Sequence, residues 1–155
     1  MTAASALAAT GRTNALTAIA AGGLIAGTLD FAQATILFGF RVWRVVAAAL
    51  LGRQVLHGGP PIYILGILLH FFIAFSVTAI YYGASRRLRF LTEHPLVCGL
   101  AYGAIVENVM NLVVLPLSAL HARGPYTLKD LLLGLGVHMV TIGLPVAFSV
   151  RRFAK

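Results

Sequence analysis

The sequence predicts an all-α integral membrane protein, a bundle of four transmembrane helices in a single domain spanning residues 1–155. Three observations carry that prediction. Hydrophobic residues make up 59% of the chain and charged residues only 10%, where a soluble domain carries roughly 25% charged residues. Mean hydropathy is +0.91. The apolar residues gather into four runs, each long enough for a hydrocarbon core that takes roughly 20 helical residues to cross. Such a chain cannot cover itself with a solvated surface, which excludes a soluble globular fold, a disordered segment and a disulfide scaffold.

Residues 1–13 are rich in Ala and Thr and carry one charge, Arg12. The first run, 16–38, is longer than the apolar core of a secretory signal, so no cleavage is expected. The other runs are 62–82, 96–120 and 131–150. None shows strand alternation, and all are too long for barrel strands, so each reads as a helix. Phe38, Phe40, Trp43, Tyr63, Tyr81 and Tyr82 stand at run ends, as in an interfacial aromatic belt. A short interfacial helix is expected over about 41–56, with Arg41, Arg44 and Ala48 on one face and Trp43, Val45 and Val46 turned away. HGGPP (57–61) ends it. The second connection carries Arg86, Arg87 and Arg89, and the third turns at Gly124–Pro125. Pro116 and Pro145 are expected to kink the third and fourth spans.

The 12 basic residues outnumber 4 acidic ones, for a formal charge of +8. All 12 lie outside the apolar runs, where they anchor helix ends against anionic head groups, and nothing reads as a nucleic-acid surface. The expected partner is the bilayer, with a homo-oligomer or a larger membrane complex as a further association. Arg12, Arg86, Arg87, Arg89, Arg151, Arg152 and Lys155 fall on one side, and Arg41, Arg44, Arg53, Arg123 and Lys129 on the other. With SRRLR and VRR abutting helix ends, both termini are expected in the cytoplasm. The single Cys98 reads as a packing residue.

The chain also repeats itself. GLIAGTLD (23–30) and GLAYGAIVEN (99–108) each place a GxxxG before a carboxylate, Asp30 or Glu107. LGILLH (65–70) and LGLGVH (133–138) each place a glycine one turn before a histidine, His70 or His138. This suggests two duplicated helical hairpins, each a carboxylate helix followed by a histidine helix. The packing glycines are Gly23, Gly27, Gly66, Gly99, Gly103 and Gly134, which let backbones approach closely.

Each span therefore carries residues that are costly in lipid: Asp30, His70, Glu107 with Asn108 and Asn111, and His138. Counting at 1.5 Å per residue from the run ends puts them near one depth, and the shared glycine stripes should turn them inward. The set supports several readings. One is a proton- or ion-handling layer or a small-ligand site. Another is a purely structural layer in an accessory or scaffold subunit. The third is a divalent-metal or haem site using His70, His138, Asp30 and Glu107. No activated nucleophile is visible, so no catalytic residue is assigned and an enzyme is the least favoured class. His57, His94 and His121 belong to the connections.

The order of G-L-I-A-G-T-L-D, a G-G loop at Gly58–Gly59, L-G-x-x-x-H-F at 65–71, N-x-V-V-x-P-L-S at 111–118 and H-M-x-x-x-G-L-P at 138–145 resembles a group of small four-helix inner-membrane proteins of Gram-negative bacteria. The resemblance implies a bacterial inner-membrane location. It implies no activity, cofactor or catalytic residue.

Overall fold

A computed structural model describes the backbone of residues 3–122 and 127–153 and the side chains of residues 14–122 and 127–153. Among the described residues there is no strand. The elements are α1 (Ala3–Phe38), α2 (Val42–Leu51), a 3-10 segment (Arg53–His57), α3 (Pro60–Ser85), α4 (Phe90–Glu93), α5 (Pro95–Leu117) and α6 (Leu128–Phe153). Four stretches are long and apolar enough to cross a membrane: Asn14–Phe38 within α1, and α3, α5 and α6. The third ends three residues before the run's expected end. Ser118 turns to an extended conformation there, and Ala119 N–H leaves the helix to donate to Ala49 O at 2.9 Å. The expected turn at Gly124–Pro125, with Arg123, lies outside the described residues, as do Lys155 and the side chain of Arg12.

Helix starts and stops follow the chemistry of single residues. Pro60 and Pro95 open α3 and α5 at positions where a missing N–H costs nothing. Thr127 caps α6 by accepting from Asp130 N–H at 3.1 Å. Pro116 and Pro145 each follow a widened π turn, Met110–Val114 and Met139–Gly143. There Leu115 N–H donates to Met110 O and Leu144 N–H to Met139 O, five residues back. A proline cannot donate to the carbonyl four residues before it and clashes with it, and the wider turn accommodates both effects. These disturbances begin three residues after Glu107 and directly after His138.

α1 lies beside α3 and α6, α5 beside α6, and α2 against α3. Gly22 faces Thr78 and Ser149, while Gly27 faces Phe71 and Asp30 meets Thr141, so α1 runs antiparallel to both neighbours. The start of the first span and the ends of α3 and α6 thus share one end of the molecule. α2 occupies the other. The core between α1, α3, α5 and α6 contains Ala26, Tyr81, Val106, Ile142, Val146, Ala147 and Val150. Outward faces carry large apolar side chains such as Ile36, Leu68, Phe72, Ile80, Ile105 and Leu112.

Two sequence expectations are corrected here. Trp43 and Tyr81 are not belt residues, since each is only 1% exposed. Trp43 stacks on Phe31 at 4.4 Å and donates from Nε1 to Thr35 Oγ1 at 3.1 Å. Tyr81 donates to Leu91 O at 2.9 Å and so ties down α4. The helix expected over about 41–56 is also not one helix, and Ala48 lies on the face of Trp43 rather than on that of Arg41 and Arg44. Gly52 breaks it with φ +89°, a conformation glycine adopts without strain. Its inner face is Trp43, Ala47 and Ala48. Arg44 has folded over Tyr63, 4.8 Å from the ring centroid, while Arg41 stays exposed.

Candidate functional site

Glycines determine how closely the polar residues approach. A Cβ on Gly23 or Gly27 would strike Phe75 or Phe71 of α3. One on Gly99 would lie 2.9 Å from Gly143 O, and one on Gly103 would strike His138 O. These four glycines therefore pack within the chain, drawing α1 onto α3 and α5 onto α6. Gly134 has a different task, because a Cβ there would overlap Glu107 Oε1. Its bare backbone admits the carboxylate. Gly66 does not pack against a spanning neighbour at all. It receives the carbonyl of Trp43 from α2, which seats the indole beside His70, with ring centroids 5.0 Å apart.

These approaches bring Asp30, His70, Glu107 and His138 into one continuous chain. His70 Nδ1 lies 3.9 Å from Asp30 Oδ2. His138 Nε2 lies 3.9 Å from Asp30 Oδ1 on the other side. His138 Nδ1 lies 3.1 Å from Glu107 Oε2. Asp30 and Glu107 are buried, and both imidazoles are largely so. Each suggested hairpin holds its own carboxylate–imidazole pair, and the contact of Asp30 with His138 joins the two. The hairpins differ in detail: His70 bonds across to α1, whereas His138 bonds within α6.

Hydrogen-bond partners decide which ring nitrogens carry protons. A backbone carbonyl only accepts. His70 Nε2–H donates to Gly27 O at 2.8 Å, and His138 Nδ1–H donates to Gly134 O at 3.1 Å. The protonatable nitrogens that remain, His70 Nδ1 and His138 Nε2, are the two that face Asp30. Phe31, Phe71 and Trp43 wall in the His70 ring.

Asp30 Oδ1 has two more neighbours that the sequence did not single out for this site. Gln33 Nε2 donates to it at 3.0 Å, and Thr141 Oγ1 lies 3.1 Å away. Both can serve either protonation state of Asp30. Thr141 can donate to an ionised Asp30, or donate to Val137 O at 3.0 Å and accept from a protonated one. Gln33 Oε1 is buried without a partner, and a half-turn of its amide would present that oxygen to a protonated Asp30. Each stands one helical turn after a recognised polar residue, which is the signal that could have found them.

Other candidates fall away. Asn108 is exposed, and its Nδ2 donates to Ala104 O at 2.8 Å, because one residue past Glu107 turns it about 100° around the helix. Asn111 bonds back to Glu107 O at 3.0 Å and leaves the carboxylate untouched. For a metal, no three His, Cys, Asp or Glu donors converge among the described residues. Each imidazole also has one ring nitrogen committed to a carbonyl. A haem between His70 and His138 fails on space, because the Asp30 carboxylate lies between the rings. His57, His94 and His121 are exposed, as expected of connections.

No protein-family model, curated protein or solved structure matches the chain.

Proposed function

We propose that this chain is a multi-pass membrane protein whose buried His70–Asp30–His138–Glu107 chain accepts and passes protons. One observation carries the reading. Asp30 stands between two imidazole nitrogens, each 3.9 Å away, that have no other partner among the described residues.

With both carboxylates ionised and both imidazoles neutral, the cluster would bury two negative charges. Among the described residues no Lys or Arg reaches either carboxylate; only the histidines do. Uncompensated charge in a low-dielectric interior is strongly unfavourable, and two further protons shared among the four groups would remove it. Each has several places to sit: His70 Nδ1, Asp30, His138 Nε2 or Glu107. The gaps beside Asp30 exceed hydrogen-bond length by about 1 Å, which a side-chain rotation closes. His138 can then take a proton at Nε2 from Asp30 and release one from Nδ1 to Glu107, the relay an imidazole with two distinct nitrogens performs. Thr141 and Gln33 can solvate Asp30 in either state.

The apolar outer faces of the four long helices support placement in a bilayer, where an intramembrane ionisable residue is by default a functional candidate. The arginine clusters at one end support an orientation with both termini cytoplasmic, and the sequence resemblance is what suggests a bacterial inner membrane. A second reading has its own observation. The bonds from His70 to Gly27 O and from Thr141 toward Asp30 also hold helices in register, as a non-catalytic accessory or scaffold subunit would need.

Reconstitution into liposomes with an internal pH dye and an imposed membrane potential separates the two. On the proton reading the wild type takes up protons faster than protein-free vesicles, and Asp30→Asn and His138→Gln fall to the protein-free rate. A wild type no faster than empty vesicles, or an Asp30→Asn variant as fast as wild type, leaves only the structural reading.

A further inference from the structure

We propose that a recess at the arginine-rich end binds a doubly charged phosphate group, presented either as the monoester of a lipid head group or as free inorganic phosphate. The recess lies where the end of α3, the turn of α4 and the end of α6 meet, and is independent of the proton chain. It measures about 520 Å³ and is lined by Ser85, Arg86, Arg89, Thr92, Glu93, Val150 and Arg151, a size within the range of ligand sites.

Three arginines from two separate parts of the chain line it. Among the described residues Arg86, Arg89 and Arg151 have no side-chain hydrogen bond and no ion pair. Glu93 is the only lining carboxylate and lies beyond ion-pair reach of all three; the ion pairs among the described residues all involve His70 or His138. The donors are therefore free for a ligand. The hydroxyls are not: Ser85 donates to Tyr82 O at 2.7 Å and Thr92 to Arg89 O at 2.9 Å. Recognition thus rests on guanidinium forks, which match phosphate oxygens, rather than on hydroxyls that would read a sugar or glycerol. Both α3 and α6 end here, so their dipoles do not favour an anion and the arginines supply the attraction. Three arginines against Glu93 leave a lining charge of +2, which a dianionic monoester balances and a singly charged phosphodiester does not. The floor is closely packed, since Val150 is fully buried and Ser85 nearly so.

Native mass spectrometry of the full chain released from detergent tests this. The probes are dioctanoyl phosphatidic acid, dioctanoyl phosphatidylglycerol and inorganic phosphate. The expected result is preference for phosphatidic acid, weakened about tenfold or more in Arg86→Gln/Arg151→Gln through loss of charge-assisted bonds. The control Arg41→Gln/Arg53→Gln removes the same charge from the other end and should weaken binding by less than about twofold. All four side chains are exposed, so thermal unfolding of both variants should match wild type. Competition by inorganic phosphate identifies a free phosphate as the occupant, and its failure to compete identifies the lipid head group. Equal weakening by both double variants, or no preference for monoester over diester, overturns the proposal.

Discussion

Replacing Glu107 and His138, singly and together, tests the shortest contact in the polar chain. The two substitutions should not cost the same. His138→Leu removes the ring between two buried carboxylates and leaves Glu107, with a side chain only 7% exposed, without its imidazole. Breaking a buried pair this way costs about 3–5 kcal/mol in soluble proteins. In a bilayer the unfolded chain finds partners too, and measured interhelical terms stay below about 2 kcal/mol. A loss of about 2 kcal/mol is expected. Glu107→Met keeps an unbranched side chain of similar length beside Gly134. It leaves the bond from His138 Nδ1–H to Gly134 O at 3.1 Å in place. That variant should lose about 1 kcal/mol or less. The double variant should lose less than the sum of the two, by about 1 kcal/mol. Unfolding in mixed micelles of rising sodium dodecyl sulfate, followed by far-ultraviolet circular dichroism, measures all three. Equal single losses, or additivity within about 0.3 kcal/mol, would refute the assignment of Nδ1 as the proton-bearing nitrogen shared with Glu107.

Two glycines provide a matched pair of predictions. Gly66→Ala drives a methyl group into the Trp43 carbonyl, so it should cost about 1–3 kcal/mol and shift tryptophan fluorescence to the red as α2 lifts. Gly83→Ala meets open space on the same helix and should be neutral or stabilising by up to about 1 kcal/mol; a Gly66→Ala variant as stable as Gly83→Ala would contradict the packing of α2. A reporter active only in the periplasm, fused after Lys155, should stay silent, and strong activity there would reverse the proposed orientation.

The number, length and order of the long helices were legible in the sequence because they depend on local quantities. A run of apolar residues acts through its nearest neighbours, and the observed starts at Pro60 and Leu128 lie two and three residues before the runs at 62 and 131. The polar residues were equally visible, since Asp30, His70, Glu107 and His138 interrupt runs that are otherwise apolar. Their inward direction followed from the glycines beside them. Asn108 shows the limit of that reasoning. It is as polar as Asn111 and adjacent to Glu107, yet one residue of helical rotation puts it on the outer face.

Partnership was decided by the tertiary structure. Sequence depth places four groups near one level but leaves open which meet, because that depends on helix order and on the rotation of each helix about its axis. α6 lies beside both α1 and α5, so His138 touches two carboxylates while His70 touches one. Trp43 is buried because Gly66 offers a bare backbone for α2 to press against. Gly134 reads in sequence as a helix-packing residue and instead makes room for Glu107. A missing Cβ is visible in one dimension. What fills its place is a contact between residues distant along the chain, and only the assembled helices determine it.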